Sequence, residues 1–170
     1  MCSAYGPRDE VDGIVAAWGR ERMDFDPEPL AVFSRLLRLE RHIDRMRRQT
    51  FSRHNIEPWE FEMLSALRRQ GAPYRLTAGR LMQETLVSSG AVTNRVDKMV
   101  VHGFAERIPD VNDRRVIHVQ ATEKGLALVD AAMADLLDAE RYQLSDLDKA
   151  SQRQLANLLR ELLSHFEREA

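Results

Sequence analysis

The sequence predicts a mainly α-helical chain of the α+β class that carries one small β-hairpin. Three observations lead there. Charged residues make up 31% of the 170 residues and aromatics 6%, with only 8 Gly and 6 Pro, which points to a helix-rich globular chain and away from collagen-like, disordered or all-β ones. Apolar residues recur at three- and four-residue steps over most of the length. Between Phe104 and Ala121 the pattern switches to the two-residue alternation of strands, around a turn-rich loop.

The first element lies in an acidic stretch, residues 1–29, where Asp9, Glu10, Asp12, Glu21, Asp24, Asp26 and Glu28 outnumber Arg8, Arg20 and Arg22. Val11, Ile14, Val15 and Trp18 mark a short amphipathic helix, which Pro27 and Pro29 are expected to end. A second helix runs from Leu30 to about Ser52, with Phe33, Leu36, Leu37, Ile43 and Met46 along one side. Its other side carries Arg35, Arg38, Arg41, Arg45, Arg47 and Arg48, read as a solvated or intersubunit face. Pro58 suits the first position of a third helix over Trp59–Gln70, with Phe61, Leu64 and Leu67 inward and Gly71 closing it.

Next come two short helices. Thr77 caps one that runs through Leu81 and Met82, because its hydroxyl can satisfy an orphan backbone amide. After a turn at Glu84–Val87, Ser88 and Ser89 cap another, whose Val92, Val96, Met99 and Val100 face inward. Gly103 supplies the left-handed residue that ends it and Phe104 the apolar contact that follows. Strands at Phe104–Ile108 and Val116–Val119 flank the loop Pro109–Arg115. The remainder, Thr122 to Glu169, reads as two long helices. The last carries Leu144, Leu147, Leu155, Leu158, Leu159, Leu162 and Phe166, a stripe that needs cover from the first helices or from a second subunit.

Two short helices joined by a tight turn, the second opening on small and polar residues, form a helix-turn-helix, and a hairpin directly behind it is a wing. The candidate DNA contacts are therefore Ser88, Ser89, Thr93, Asn94, Arg95 and Lys98 on the recognition helix, with Asp113, Arg114 and Arg115 on the wing. Arginines at a wing tip suit a narrow minor groove, and Asp113 is expected to brace one of them through a forked ion pair.

The stretch Thr85–Gly125 resembles the core signature of the MarR (multiple antibiotic resistance) family in its SSGAVTNR run, the Gly103 turn, the D-x-x-D-R-R wing and the T-E-K-G that opens the next helix. The flanking helices are similar in order and length. The resemblance implies a winged helix-turn-helix homodimer that binds a palindromic operator, usually as a repressor relieved by a small aromatic or anionic effector. The implied division is an N-terminal extension helix at 1–29, a helical dimerisation region at 30–56 and 122–170, and a DNA-binding lobe at 57–121.

The extension resembles the urate-responsive branch of that family, which has an extra first helix bearing a Trp. By that resemblance Trp18, Glu62, Thr93 and Arg107 are the ligand-binding positions. Trp18 offers a stacking face and Arg107 a fork for an anion, while Glu62 is expected to pair with Arg107 when no ligand is present. The branch usually has Asp where this chain has Glu62, so a di- or tricarboxylate stands beside urate as the expected effector.

Other classes find less support. His42, His54, His102, His118 and His165 are scattered, so no metal site is spelled out. No G-x-S-x-G or glycine-rich phosphate loop is present, so neither an enzyme nor a bound cofactor is expected. The alternative is a helical interaction module whose winged lobe binds protein rather than DNA. No apolar run approaches the ~18–20 residues of a membrane span, and residues 1–20 lack the apolar core of a signal peptide. The one cysteine, Cys2, allows no intrachain disulfide, is read as incidental, and fits the cytoplasm. The net charge of −2 is low for a DNA binder. The acids concentrate at 1–29 and in the C-terminal helices, while residues 86–120 are only slightly basic, so modest sequence-independent affinity is expected.

Overall fold

Asp9 starts the first helix. Its carboxylate accepts the amides of Val11 and Asp12, and Asp12 reaches back to the amide of Asp9, a capping box that satisfies donors no helical carbonyl can reach. The computed structural model describes residues 8–113 and 115–169, so Cys2 and Arg114 lie outside the described residues. The capped helix is α1, Glu10–Glu21, and α2 follows at Glu28–Ser52. Neither of the expected prolines ends α1, which stops at Glu21 with Arg22 as its C-cap. Pro29 instead is the second residue of α2, which begins at Glu28, two residues before the expected start at Leu30. A proline there costs no hydrogen bond, because first-turn amides have no helical acceptor.

Acids of α1 meet arginines of α2. Arg35 donates to Asp9 and Asp12 at 2.9 Å and holds the Asp9 carboxyl below its usual range. Part of the arginine row read as solvated or intersubunit is thus engaged within this first unit. The chain divides between Arg48 and Gln49, inside α2, into two compact units.

The second unit contains α3 (Pro58–Arg69), β1 (Arg75–Thr77), α4 (Ala78–Thr85), α5 (Ser89–Val101), β2 (Ala105–Pro109), β3 (Ile117–Ala121), α6 (Glu123–Gln143) and α7 (Lys149–Glu169). α3 is buried on more than one face: Phe61, Met63, Leu64, Ala66 and Leu67 are all inside, and the helix packs against α4, α5, α6 and the sheet. Phe51, just before it, stacks on Phe61 with ring centroids 4.3 Å apart. Each buried Phe, Met or Leu among them contributes roughly 1.5–3 kcal/mol of hydrophobic stabilisation.

Two strands were expected and three are present among the described residues, in the order β1-β3-β2, all antiparallel. The additional strand, β1, places Leu76 opposite Val119. At three residues it is too short to show alternation in the sequence. Two inward assignments also change. Val100 is exposed, leaving Val92, Val96 and Met99 as the buried row of α5. Leu144 and Leu147 belong to the link between α6 and α7 rather than to the last helix. On α7 itself Leu155, Leu158, Leu159, Leu163 and Phe166 are exposed.

The end of α5 closes as expected. Gly103 has φ +71°, Phe104 N–H donates to Met99 O at 2.8 Å and Gly103 N–H to Val100 O at 2.9 Å, the two bonds of a Schellman motif. Thr122 then ties α6 to this turn: its hydroxyl donates to Gly103 O at 2.8 Å and accepts from Gly125 N–H at 3.1 Å. Gly125 is required by space. A Cβ there would lie 2.1 Å from the Phe104 carbonyl oxygen and 3.1 Å from a Leu64 methyl. Gly125→Ala should therefore lower unfolding stability by about 1–3 kcal/mol in urea titrations. Gly13→Ala, at an open and exposed site in α1, should instead be neutral or stabilising by up to about 1 kcal/mol.

Candidate nucleic-acid interface

α4 is capped by Thr77, which accepts the Arg80 amide at 3.3 Å, and ends on Leu86 in a left-handed conformation, φ 52° and 93% exposed. That turn sets α5 across α4. Ser88 occupies the N-cap position of α5 with extended backbone, but its side chain makes no capping bond. The expected cap position is right and the expected bond is absent. Ser88, Ser89, Thr93, Asn94 and Lys98 are exposed along one side of α5, opposite the buried Val92, Val96 and Met99. The Thr93 hydroxyl donates back to Ser89 O at 3.2 Å, so it faces outward mainly as an acceptor.

Arg95 is only half-buried and stands apart from that exposed row. Its guanidinium carbon lies 5.6 Å from the ring centroid of Trp59 on α3, and Lys98 Nζ lies 5.9 Å from the same centroid. Both distances are within the range of cation–π attraction.

The wing is pinned at its base by Asp110. This carboxylate accepts the amides of Asn112 at 2.8 Å and Asp113 at 3.1 Å, and His118 Nε2 from β3 at 2.9 Å. The His118 bond first, and the two amides after it, pull the Asp110 carboxyl down to about 2. Asp113 forms no fork with Arg115. One of its oxygens accepts the Arg115 amide at 3.0 Å, and the Arg115 side chain stays 3.7 Å away and 95% exposed. Asp113 shapes the turn and leaves the guanidinium extended into solvent. Arg114 lies outside the described residues.

Of the expected ligand positions, Trp18 lies in the first unit, while Glu62, Thr93 and Arg107 lie in the second. Trp18 stacks with Phe25, centroids 6.3 Å apart, beside a cavity of about 330 Å³ lined by these two rings with Asp26, Pro27, Pro29 and Leu30. The expected pair of Glu62 with Arg107 is replaced. Arg107 Nη2 donates to Asp97 Oδ1 at 2.6 Å, bracing β2 against the recognition helix, and Glu62 is exposed on α3. Thr93 and Asp97 are four residues apart on α5 and so share a face.

Sequence reasoning missed Trp59, Asp97, Asp110 and His118. The hairpin register was the available signal for the last two: it sets Ile108 opposite His118, within reach of Asp110. Asp97 and Arg107 are joined across the Gly103 turn, which no periodicity reports.

Residues 54–116 match the family model described as the MarR family. The transcriptional regulator PecS of Dickeya dadantii is 33% identical over 157 residues, spanning 92% of this chain and 95% of the relative. The chain belongs to the MarR family. A mutant of E. coli MarR solved in complex with operator DNA superposes with a TM-score of 0.66 at 26% identity, covering 76% of this chain and 92% of that one. A MarR family protein from Bacillus stearothermophilus shares the fold, with a TM-score of 0.71 at 21% identity over 84% of this chain and 99% of that one. The protein is thus a DNA-binding transcriptional regulator of the MarR family, with the winged helix fold and helical ends expected, and its relatives are regulators rather than enzymes. Among the described residues no helix is long and apolar enough to cross a membrane.

The wing pin has a pH signature. With its folded value near 2 and the usual one at 3.8, Asp110 contributes stability that is complete above about pH 4 and lost as pH falls toward 2. The difference in Tm between wild type and Asp110→Asn should shrink over that window when unfolding is followed by circular dichroism. A difference that stays constant from pH 4 to pH 2 contradicts the pin.

Proposed function

We propose that the protein is a repressor that binds a palindromic operator as a homodimer in the cytoplasm and is released by a small organic anion. The observation that carries this reading is the exposed polar edge of α5 set beside a wing whose Arg115 side chain is 95% exposed on a pinned base. Ser88, Ser89, Thr93, Asn94, Arg95 and Lys98 are assigned to the major groove and its phosphates, and Asp113, Arg114 and Arg115 to the wing's approach to the minor groove. The E. coli MarR complex with operator DNA supports the assignment of DNA as the partner. The exposed leucines and Phe166 of α7 support a second copy, with residues 30–56 and 122–170 as the dimerisation region. Two copies related by a two-fold axis read two half-sites about one helical turn apart, which makes the operator palindromic.

Arg115→Ala should weaken operator binding in gel shifts, with two chains per duplex in the wild-type titration. Unchanged binding removes the wing from the interface.

The effector is assigned to Trp18, Glu62, Thr93 and Arg107. The pair found at Arg107 supplies a route for release: a carboxylate or urate anion competes with Asp97 for the guanidinium, and the brace between β2 and α5 opens. An anion drives that change only through higher affinity for the opened state. Isothermal titration with urate and with citrate should show binding by one of them that Arg107→Ala abolishes and Trp18→Phe weakens. Equal binding by both variants and wild type moves the effector elsewhere.

A further inference from the structure

The cations on and beside the recognition helix are held in two different ways. Arg107 sits on Asp97, whose carboxylate cancels its charge and occupies part of its donor fork. Arg95 and Lys98, one turn apart on α5, sit instead over one neutral ring, that of Trp59 at the start of α3. Arg95 Nη1 is shielded from solvent and has no hydrogen-bond acceptor among the described residues. The Trp59 ring is thus a contact that helps to hold this guanidinium in place. A ring attracts a cation through its face and accepts none of its strong in-plane hydrogen bonds, so the charge remains whole and the remaining N–H groups stay available. The acid nearest in sequence, Asp97, is already taken by Arg107.

We infer that Trp59 is a positioning residue for DNA binding: it gathers Arg95 and Lys98 on the edge of the recognition helix without neutralising them, so that phosphate oxygens complete their hydrogen bonds. This rests on the assignment of Arg95 and Lys98 as DNA contacts. The energy comes from pre-ordering. Long cationic side chains lose rotamer freedom when they meet phosphate, and a platform that restricts them beforehand reduces that loss on binding. Trp59 is half-buried and touches no DNA in this role.

The test uses the full chain and a short fluorescein-labelled duplex of mixed sequence, followed by anisotropy at several KCl concentrations. Trp59→Leu keeps an apolar side chain and removes the π face; it should weaken binding about fivefold, while Trp59→Phe stays within about twofold of wild type. Thermal unfolding of both variants shows that they are folded. The combined variant Arg95→Met, Lys98→Met should bind more weakly with a shallower salt dependence, and Trp59→Leu added to it should cause no further loss. Three results overturn the inference: wild-type binding by Trp59→Leu, equal weakening by Trp59→Phe, or the same fivefold loss in the background that lacks both cations. Unchanged binding by the Arg95→Met, Lys98→Met variant overturns the underlying assignment as well, and is distinguishable because it involves no change at Trp59.

Discussion

One buried carboxylate joins the start of α3 to the end of the recognition helix. Glu60 is 2% exposed, and its two oxygens have separate duties. One accepts the Glu57 amide at 2.9 Å and completes the first turn of α3; the other takes the imidazole Nδ1–H of His102 at 2.7 Å. His102 is the C-cap of α5, so the bond fixes the last turn of that helix against the first turn of α3. From there the chain has little freedom. Gly103 turns it, Phe104 drops inward with its ring against His102, and Thr122 and Lys124 fasten α6 onto the carbonyls of Gly103 and His102. Without the Glu60 carboxylate, the Glu57 amide and the half-exposed His102 imidazole would both lose their acceptor, a net loss of about 0.5–1.5 kcal/mol for each bond. α5, the wing and α6 all take their positions from this junction.

The same economy governs the charged residues of the DNA lobe. Where a cation is needed as a brace, it is given a carboxylate, as Arg107 is given Asp97. Where a carboxylate must hold a loop, it is surrounded by donors, as Asp110 is by two amides and His118. Where cations are to remain available, they rest on an aromatic ring or extend into solvent, as Arg95, Lys98 and Arg115 do. A net charge of −2 therefore says little about the surface that meets DNA, because the acids of α1 are paired with the arginines of α2 in the other unit.

Much of this was legible in the sequence, for local reasons. The cap at Thr77, Pro58 at the head of α3 and the left-handed Gly103 follow from chemistry within a few residues. What was missed is non-local or marginal. β1 is held by its partner β3 rather than by its own three residues. Val100 lies beside the buried row of α5, and helical periodicity alone cannot place a residue at the edge of a stripe. Glu60 carries no mark of its burial in the sequence, although Glu57 and Glu60 have the spacing of a capping box. Arg107 was assigned a distant acid when Asp97, ten residues earlier, is brought back to it by the Schellman turn.

The Asp97–Arg107 pair has a kinetic consequence. Retention on random sequence grows with each phosphate that a protein cation neutralises, and a guanidinium held by its own chain's carboxylate neutralises none. With Arg107 so occupied, few cations of this lobe are left to hold a wrong site, and the acidic remainder of the chain adds no long-range pull. Short dwell times on non-operator DNA are the expected consequence, shortened further by screening at physiological salt.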